Sequence, residues 1–254
     1  MAKTHQKERV LNIRCSEIWG GNESIDTEVC TGSLTASLYS SGMDGGRGGD
    51  IYYFSVCGRE MLTRIAVADV TGHGKTVSST SHWLYRSMVS NMNEMDGGNI
   101  LQDLNVLAKN EGIRAMTTAE VITYNRGDSR LYFSYAGHPP LLLRKKGERK
   151  WRKLILQNSS RLANLPLGVV ENVVYDRESL IVNAGDLLFL YTDGVVGALK
   201  DGKPFGMEGL LRVLGADDSK SLAAIKSEVL SSLTQFTGGH LTHDDVTFMV
   251  VRIH

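Results

Sequence analysis

Four aspartates stand in short segments spread along the chain: Asp50 in Gly48-Gly49-Asp50, Asp69 in Ala68-Asp69-Val70-Thr71-Gly72-His73-Gly74, Asp193 in Tyr191-Thr192-Asp193-Gly194, and Asp244 in His243-Asp244-Asp245-Val246-Thr247. A carboxylate on so short a stem, held at the end of a strand, is placed rigidly enough to ligate a metal ion. A glycine beside it lets backbone and water approach closely. Oxygen donors without paired cysteines select hard cations, Mg²⁺ or Mn²⁺, over zinc or copper. Two such ions about 3.5–4 Å apart share a water, lower its pKa and direct it at a phosphoryl group. The chemistry expected is phosphoester hydrolysis. Taken singly, an Asp-Gly pair after a strand is an ordinary turn, and spacing alone does not bring the four together.

Other residues admit two readings each. Arg47, in Gly45-Gly46-Arg47-Gly48-Gly49, directly precedes the first aspartate segment. It is a candidate to hold a substrate phosphate by a bidentate contact, against the alternative of a solvated loop arginine. His73 is either a general acid, since imidazole titrates near neutrality, or a turn residue of the Gly72–Gly74 loop. His138, in Gly137-His138-Pro139-Pro140, reads as structural. Gly72-His73-Gly74-Lys75-Thr76 is not a phosphate-binding P-loop, because the position that motif reserves for its first glycine is Asp69. His240, His243 and Asp244 resemble a metal cluster of another hydrolase class, but such clusters sit on helices and the following Val246-Thr-Phe-Met-Val-Val reads as a strand. The basic runs Arg144–Lys146 and Arg149–Lys153 read as the solvated tip of a hairpin, with docking of an acidic partner as the alternative.

The elements that must position these groups follow from pattern. Ser33–Ser41, Asp50–Cys57 and Met61–Asp69 are rich in Tyr, Val, Ile and Thr and read as strands, the last two joined by a hairpin at Gly58-Arg59-Glu60. Val77, Leu84, Met88 and Met95 then fall on one face of a helix, and Ile100, Leu104 and Leu107 on a second. Thr117–Tyr124 and Arg130–Ala136 form a hairpin around Asn125-Arg126-Gly127-Asp128, and Pro140–Arg144 pairs with Trp151–Leu156. Leu187–Tyr191 and Val246–Val251 are continuously apolar, as strands covered on both faces are. Between them lie a helix starting near Met207 and another carrying Leu222, Ile225, Val229 and Leu233. Strand and helix blocks are segregated, so the fold class expected is a layered α+β domain. Residues 1–30 carry no clear pattern, and the domain is expected to occupy 31–254.

Composition bounds the function. Lys plus Arg and Asp plus Glu are 28 each, a formal net charge of zero, so no global basic field exists to hold nucleic acid or an anionic membrane. Three cysteines without CxxC spacing suggest neither a disulfide framework nor a zinc ribbon. The polar N-terminus is no secretory signal, and no apolar run approaches the roughly 18 residues of a membrane span. A cytoplasmic location is expected, with no membrane or nucleic-acid partner.

The ordered series Gly-Gly-Asp, Asp-Val-Thr-Gly-His-Gly, Ala-Gly-His-Pro-Pro at 136–140, Leu-Pro-Leu-Gly at 165–168, Tyr-Thr-Asp-Gly and Asp-Asp-Val-Thr resembles the metal-dependent PPM protein phosphatases, and within them the SpoIIE/RsbU-like bacterial branch. The resemblance runs from about Ser33 to Ile253. It implies a β-sandwich flanked by helices in α-β-β-α layers, with two Mn²⁺ or Mg²⁺ ions at one end of the sheets. By position Asp50 is similar to the family's bridging aspartate and Asp69 to the other early ligand, with the Val70 carbonyl where a glycine carbonyl is usual. Asp193 and Asp244 resemble the late ligands, Asp244 being preferred over its neighbour Asp245. The nucleophile implied is metal-bound water, and loading two dications would raise the net charge from zero to about +4. The activity implied is hydrolysis of phosphoserine or phosphothreonine in another protein, with an anti-sigma-factor antagonist of a partner-switching pathway as the favoured substrate. The family's catalytic histidine does not fall at the offset of His73. Tyr53 stands where relatives often carry an aspartate, and Lys75 begins the helix after the histidine loop. These departures keep open a second reading, a regulatory module that retains the fold without the catalysis.

Overall fold

β-branched and aromatic residues among the first seventy positions form six strands: β1 (Arg9–Asn12), β2 (Ile18–Glu23), β3 (Ile25–Cys30), β4 (Leu34–Ser41), β5 (Arg47–Cys57) and β6 (Leu62–Val70). Helices α1 (Lys75–Ser90) and α2 (Gly97–Asn110) follow, then strands β7 (Thr117–Asn125), β8 (Arg130–Ala136), β9 (Leu142–Arg144), β10 (Arg152–Lys153), β11 (Glu178–Ile181) and β12 (Leu187–Tyr191). The remainder comprises α3 (Asp193–Gly197), the short pair β13 (Leu199–Lys200) and β14 (Lys203–Pro204), α4 (Gly206–Leu214), α5 (Leu222–Phe236) and β15 (Val246–Ile253). This computed structural model describes residues 9–43, 45–72, 75–91, 94–110, 116–157, 163–215, 220–239, 241 and 244–254.

Two sheets carry the fold. One has seven strands in the order β1-β3-β4-β15-β12-β9-β10, the other six in the order β11-β8-β7-β6-β5-β2. Their facing sides interdigitate around Leu38, Phe54, Val67, Ile122, Leu190 and Met249, all buried. The outer face of the six-stranded sheet packs on Leu84 and Met88 of α1 and Ile100 and Leu104 of α2. The outer face of the other sheet packs through Phe189 and Phe248 on Leu210 of α4 and Ile225, Val229 and Leu233 of α5. The layers are therefore helix, sheet, sheet, helix, the α+β arrangement expected. Strand β12 is apolar throughout because it is covered on both faces.

Three details differ from the pattern read in the sequence. The first helix stops at Ser90, and Met95 is exposed outside it. The side chain of Asp96 accepts from the backbone N–H of Gly98 and starts α2, so the chain has already left the first helix axis. Residues 9–30, which carry no legible pattern, supply β1, β2 and β3: β3 pairs antiparallel with β4, and β2 with β5. Strand β11 and the small elements α3, β13 and β14 also lacked a sequence signal.

Topology brings the acidic segments to one end of the sandwich. The C-terminal strand β15 inserts between β4 and β12, so the end of β12 at Tyr191 lies beside the start of β15, with Tyr191 opposite Phe248. In the other sheet the start of β5 lies beside the end of β6, with Ile51 opposite Ala68.

Candidate metal centre

The side chains of β5 alternate between two cores: Tyr52, Phe54 and Val56 point into the sandwich, and Ile51 and Tyr53 toward the helices. Asp50 shares the parity of Tyr52 and turns inward, where it is buried. Its Oδ2 accepts a hydrogen bond of 2.8 Å from the Thr192 hydroxyl across the gap between the sheets. Thr192 Oγ1 in turn accepts from the backbone N–H of Thr247 at 3.1 Å, and the Thr192 N–H donates to the Thr247 carbonyl at 2.9 Å. The Thr247 hydroxyl is 2.7 Å from that of Ser40. Asp50 thus faces a chain of hydroxyls that fixes one of its oxygens. Tyr53 points the other way, its ring packed edge-on against Tyr85 of α1.

The acids sense one another. Burial raises the Asp50 carboxyl well above the ordinary range, the charges of Asp69 and Asp245 raise it further, and hydrogen bonds from Thr192 and Thr247 oppose the rise. Asp69 is pushed up to about 7 by burial and by the charges of Asp193, Asp244 and Asp245. Asp244 is raised by burial and by Asp193 and Asp245, against the Asp245 N–H that its Oδ1 accepts. Among the described residues no Lys or Arg forms an ion pair with any of these aspartates. A set of carboxylates raised by burial and by their mutual repulsion, and left without a protein cation among the described residues, is suited to an external one.

Asp193 follows β12 and Asp244 precedes its neighbour β15, and both are more open to water than Asp50. Asp193 opens α3, directly after β12. Asp245 acts as a clamp. Its Oδ1 accepts from the Met43 N–H at 2.7 Å and its Oδ2 from the Gly49 N–H, which ties the β4–β5 connection to the start of β15. A side chain at Gly48 would run into that carboxylate, with Asp245 Oδ2 2.5 Å from the position of a Cβ. At Gly49 a Cβ would lie 2.6 Å from the Val70 carbonyl oxygen. Glycine is therefore required at both positions before Asp50, and the Val70 carbonyl comes up to this same backbone.

The donors are all oxygen, which fits Mg²⁺ or Mn²⁺ in kind. As placed, no three His, Cys, Asp or Glu side chains among the described residues surround one point. Mg²⁺ commonly takes only one or two carboxylates and keeps several waters.

Arg47 lies at the edge of this region. Its guanidinium is exposed and engaged by Glu23 Oε1, at 2.6 Å from Nη2 and 3.2 Å from Nε. His138 is buried and bridges the two sheets: its Nε2 donates to the Tyr191 carbonyl at 3.1 Å, which leaves Nδ1 to accept from the Thr118 hydroxyl at 2.8 Å. Burial lowers its pKa to about 3, so it is a neutral strut in register with Asp69, whose strand partner is Thr118. The basic hairpin is tied within the fold, Lys145 to Asp186 at 2.8 Å and Arg152 to Glu148 at 2.6 Å. His73, His240 and His243 lie outside the described residues.

Sequence reasoning missed the parts played by Thr192, Thr247 and Asp245. Each is inside a segment marked by its aspartate, but a hydroxyl or second carboxylate there has no periodic signal to mark its partner. Glu120 was missed entirely. It is completely buried in β7 between Val67 and Tyr135, neither carboxyl oxygen has a hydrogen-bond partner among the described residues, and burial pushes it well above the ordinary carboxylate range.

Comparison with known proteins accords with this geometry. The model of the stage II sporulation protein E (SpoIIE) family matches residues 60–254, which include Asp69, Asp193 and Asp244. The phosphoserine phosphatase RsbP of Bacillus subtilis (strain 168) is 26% identical over 217 residues, covering 81% of this chain and 49% of RsbP, so the chain spans about half the length of that relative. The solved SiaA-PP2C domain of Pseudomonas aeruginosa superposes with a TM-score of 0.73 at 19% identity, over 86% of this chain and 85% of that one. RsbX, solved in complex with magnesium, superposes with a TM-score of 0.64 at 18% identity, over 91% of this chain and 100% of its own. The two structural likenesses show a shared fold, and the family match over most of the sequence shows kinship. The chain belongs to the SpoIIE family and is a SpoIIE/RsbU-like member of the PPM-type phosphatases.

Proposed function

We propose that this chain is a divalent-metal-dependent phosphatase of phosphoserine or phosphothreonine in another protein. The observation that carries the reading is the convergence of Asp50, Asp69, Asp193 and Asp244 from four strand ends, two in each sheet, into one set of mutually repelling carboxylates without a protein counter-ion among the described residues. These four, with the Val70 carbonyl, are the groups that would hold two Mn²⁺ or Mg²⁺ ions. The magnesium complex of RsbX supports that choice of ion. Ions bound there would supply Lewis-acid charge neutralisation and a water activated at neutral pH.

The chain's own residues prepare the site. The Thr192 hydroxyl holds Oδ2 of Asp50 and Thr247 adds a second hydrogen bond to the carboxylate, so the group is oriented before substrate arrives. The greater exposure of Asp193 and Asp244 leaves an approach for a phosphorylated loop. Both oxygens of Asp245 are occupied by backbone N–H groups, which favours Asp244 as the ligand and Asp245 as the clamp that shapes the Gly48-Gly49 approach. Arg47 is assigned to the substrate phosphate. An exposed ion pair such as that with Glu23 is worth about 0–1 kcal/mol, so its exchange for a phosphate costs little. The active unit takes in residues 31–254 together with strands β1, β2 and β3 of residues 9–30, which complete its two sheets. Its substrate is expected to be a protein of a partner-switching pathway such as an anti-sigma-factor antagonist, and its setting the cytoplasm. RsbP, named a phosphoserine phosphatase, supports the substrate class.

Hydrolysis of 4-nitrophenyl phosphate tests the reading. Turnover that requires added Mn²⁺ or Mg²⁺ is expected, with a loss of about 100-fold or more in kcat for Asp193→Asn and a raised KM for Arg47→Ala. Absence of turnover with either metal, or undiminished turnover by Asp193→Asn, would contradict it.

A further inference from the structure

Next to the acidic centre lies a cavity of about 550 Å³, and Asp193 and Asp244 form part of its wall. Apart from Lys153 at its rim, those two aspartates are the only charged residues that line it among the described residues. The rest is largely apolar, with Pro140, Ala198, Leu199, Met207 and Leu241 contributing. Its space arises locally. The five-residue α3 opens with Asp193, the β13–β14 hairpin follows it, and α4 begins at Gly206, with residues of all these elements lining the hollow. Gly197 and Gly206 both line the hollow, and a Cβ on either would meet nothing within 4 Å. The volume lies within the roughly 300–1,000 Å³ of ligand clefts and exceeds what one leucine or phenylalanine side chain fills.

We propose that this cavity is a specificity pocket for an apolar side chain of the phosphoprotein substrate, close in sequence to the phosphorylated residue. The inference rests on the phosphatase reading above. Its ground is continuity: a polypeptide with its phosphoryl group at Asp193 and Asp244 is already at the mouth of the hollow. An extended chain advances about 3.3 Å per residue, so a side chain within about three residues of the phosphoserine reaches the apolar wall. The lining also determines the kind of side chain. An acidic one would give up its water to a mostly apolar wall whose one cation among the described residues, Lys153, stands at the rim, whereas Leu, Met or Phe exchanges water for Pro140, Leu199 and Met207.

The test uses two phosphoserine peptides that differ only beside the phosphoserine, leucine in one and aspartate in the other, with 4-nitrophenyl phosphate as the reference ester. With Mn²⁺ present, the unaltered chain is expected to favour the leucine peptide by at least about tenfold in kcat/KM, chiefly through KM. In Gly197→Phe, which adds a ring at a lining position where a Cβ has open space, kcat/KM for the leucine peptide relative to the reference ester should fall about tenfold. Val174→Phe, on an exposed surface elsewhere, should leave that ratio in place. Binding of a dye-labelled phosphonate analogue of the leucine peptide, which cannot be hydrolysed, should weaken in parallel in Gly197→Phe when read by fluorescence anisotropy. Turnover of all three esters with no preference for leucine, or an unchanged ratio and unchanged phosphonate binding in Gly197→Phe, would overturn the pocket and leave the phosphatase reading standing. Failure of the unaltered chain to hydrolyse any of the three would overturn both.

Discussion

Burial and neighbouring charge act on Asp50 and Asp69 in the same direction, and the consequence can be read as stability. The folded pKa of Asp69, about 7, lies above its ordinary value of 3.8, burial being the larger cause and the charges of Asp193, Asp244 and Asp245 the rest. Between those two values the folded chain keeps a proton that the unfolded chain has released. The favourable contribution is therefore complete below about pH 4 and lost as the pH rises through 7. In metal-free buffer Asp69→Asn should melt close to the unaltered chain at pH 4 and roughly 5–10 °C above it at pH 8. A difference that stays constant with pH, followed by thermal denaturation in chelator, would contradict the charge explanation. Comparing variant with parent also cancels His138, whose sign is opposite: its depressed pKa makes the fold lose stability as the pH falls below the ordinary histidine value toward 3. Of the residues proposed for the site, the aspartates were legible because glycine or a strand end marked each. Thr192, Thr247 and His138 act through partners far away in sequence, and nothing local points to Asp50 from Thr192, 142 positions later.

Each strand in the middle of a sheet is covered twice, and that is why some elements were readable and others not. Leu187–Tyr191 and Val246–Ile253 are apolar on consecutive positions because a second sheet lies on one face and helices on the other. Strands β1, β2 and β3 lie toward the sheet edges and mix buried with half-exposed positions, so their residues show neither a clean alternation nor a continuous run. In β2 the glycine pair Gly20-Gly21 reads as a turn. A Cβ at Gly20 would overlap the Tyr52 carbonyl, so glycine is needed there for close strand packing. The helix α3 has five residues and β13 and β14 two each, too short for any period to show. The same double cover makes Glu120 costly, since a carboxyl in the middle of β7 is shut off from water and has no partner among the described residues. Glu120→Leu, similar in volume and without a polar group to desolvate, should raise stability by about 1–3 kcal/mol in urea denaturation with an unchanged m-value. A loss of stability of that size would mean that Glu120 makes a compensating interaction in solution.

At the scale of the whole molecule, the sandwich is a device for bringing together segments that the chain keeps far apart. Asp50 and Asp69 end neighbouring strands of one sheet, and Asp193 and Asp244 stand between or before neighbouring strands of the other. The Thr192–Asp50 hydrogen bond joins the two sheets at that end, and His138 joins them again between Thr118 and Tyr191. A formal charge of zero hides this arrangement, because the acids here have no basic partner among the described residues while other acids do, such as Asp186 with Lys145. The layered class was legible in the segregation of strand and helix blocks and again through the resemblance. Contacts across the sheets were not, since they depend on which strands β15 separates. The central claim is that the acidic centre holds divalent ions, and calorimetric titration of the chelator-treated chain with Mn²⁺ tests it most directly. Binding of two ions per chain is predicted, with binding lost or weakened by about 100-fold in Asp50→Asn. No heat of binding, or an isotherm that Asp50→Asn leaves unchanged, would contradict it.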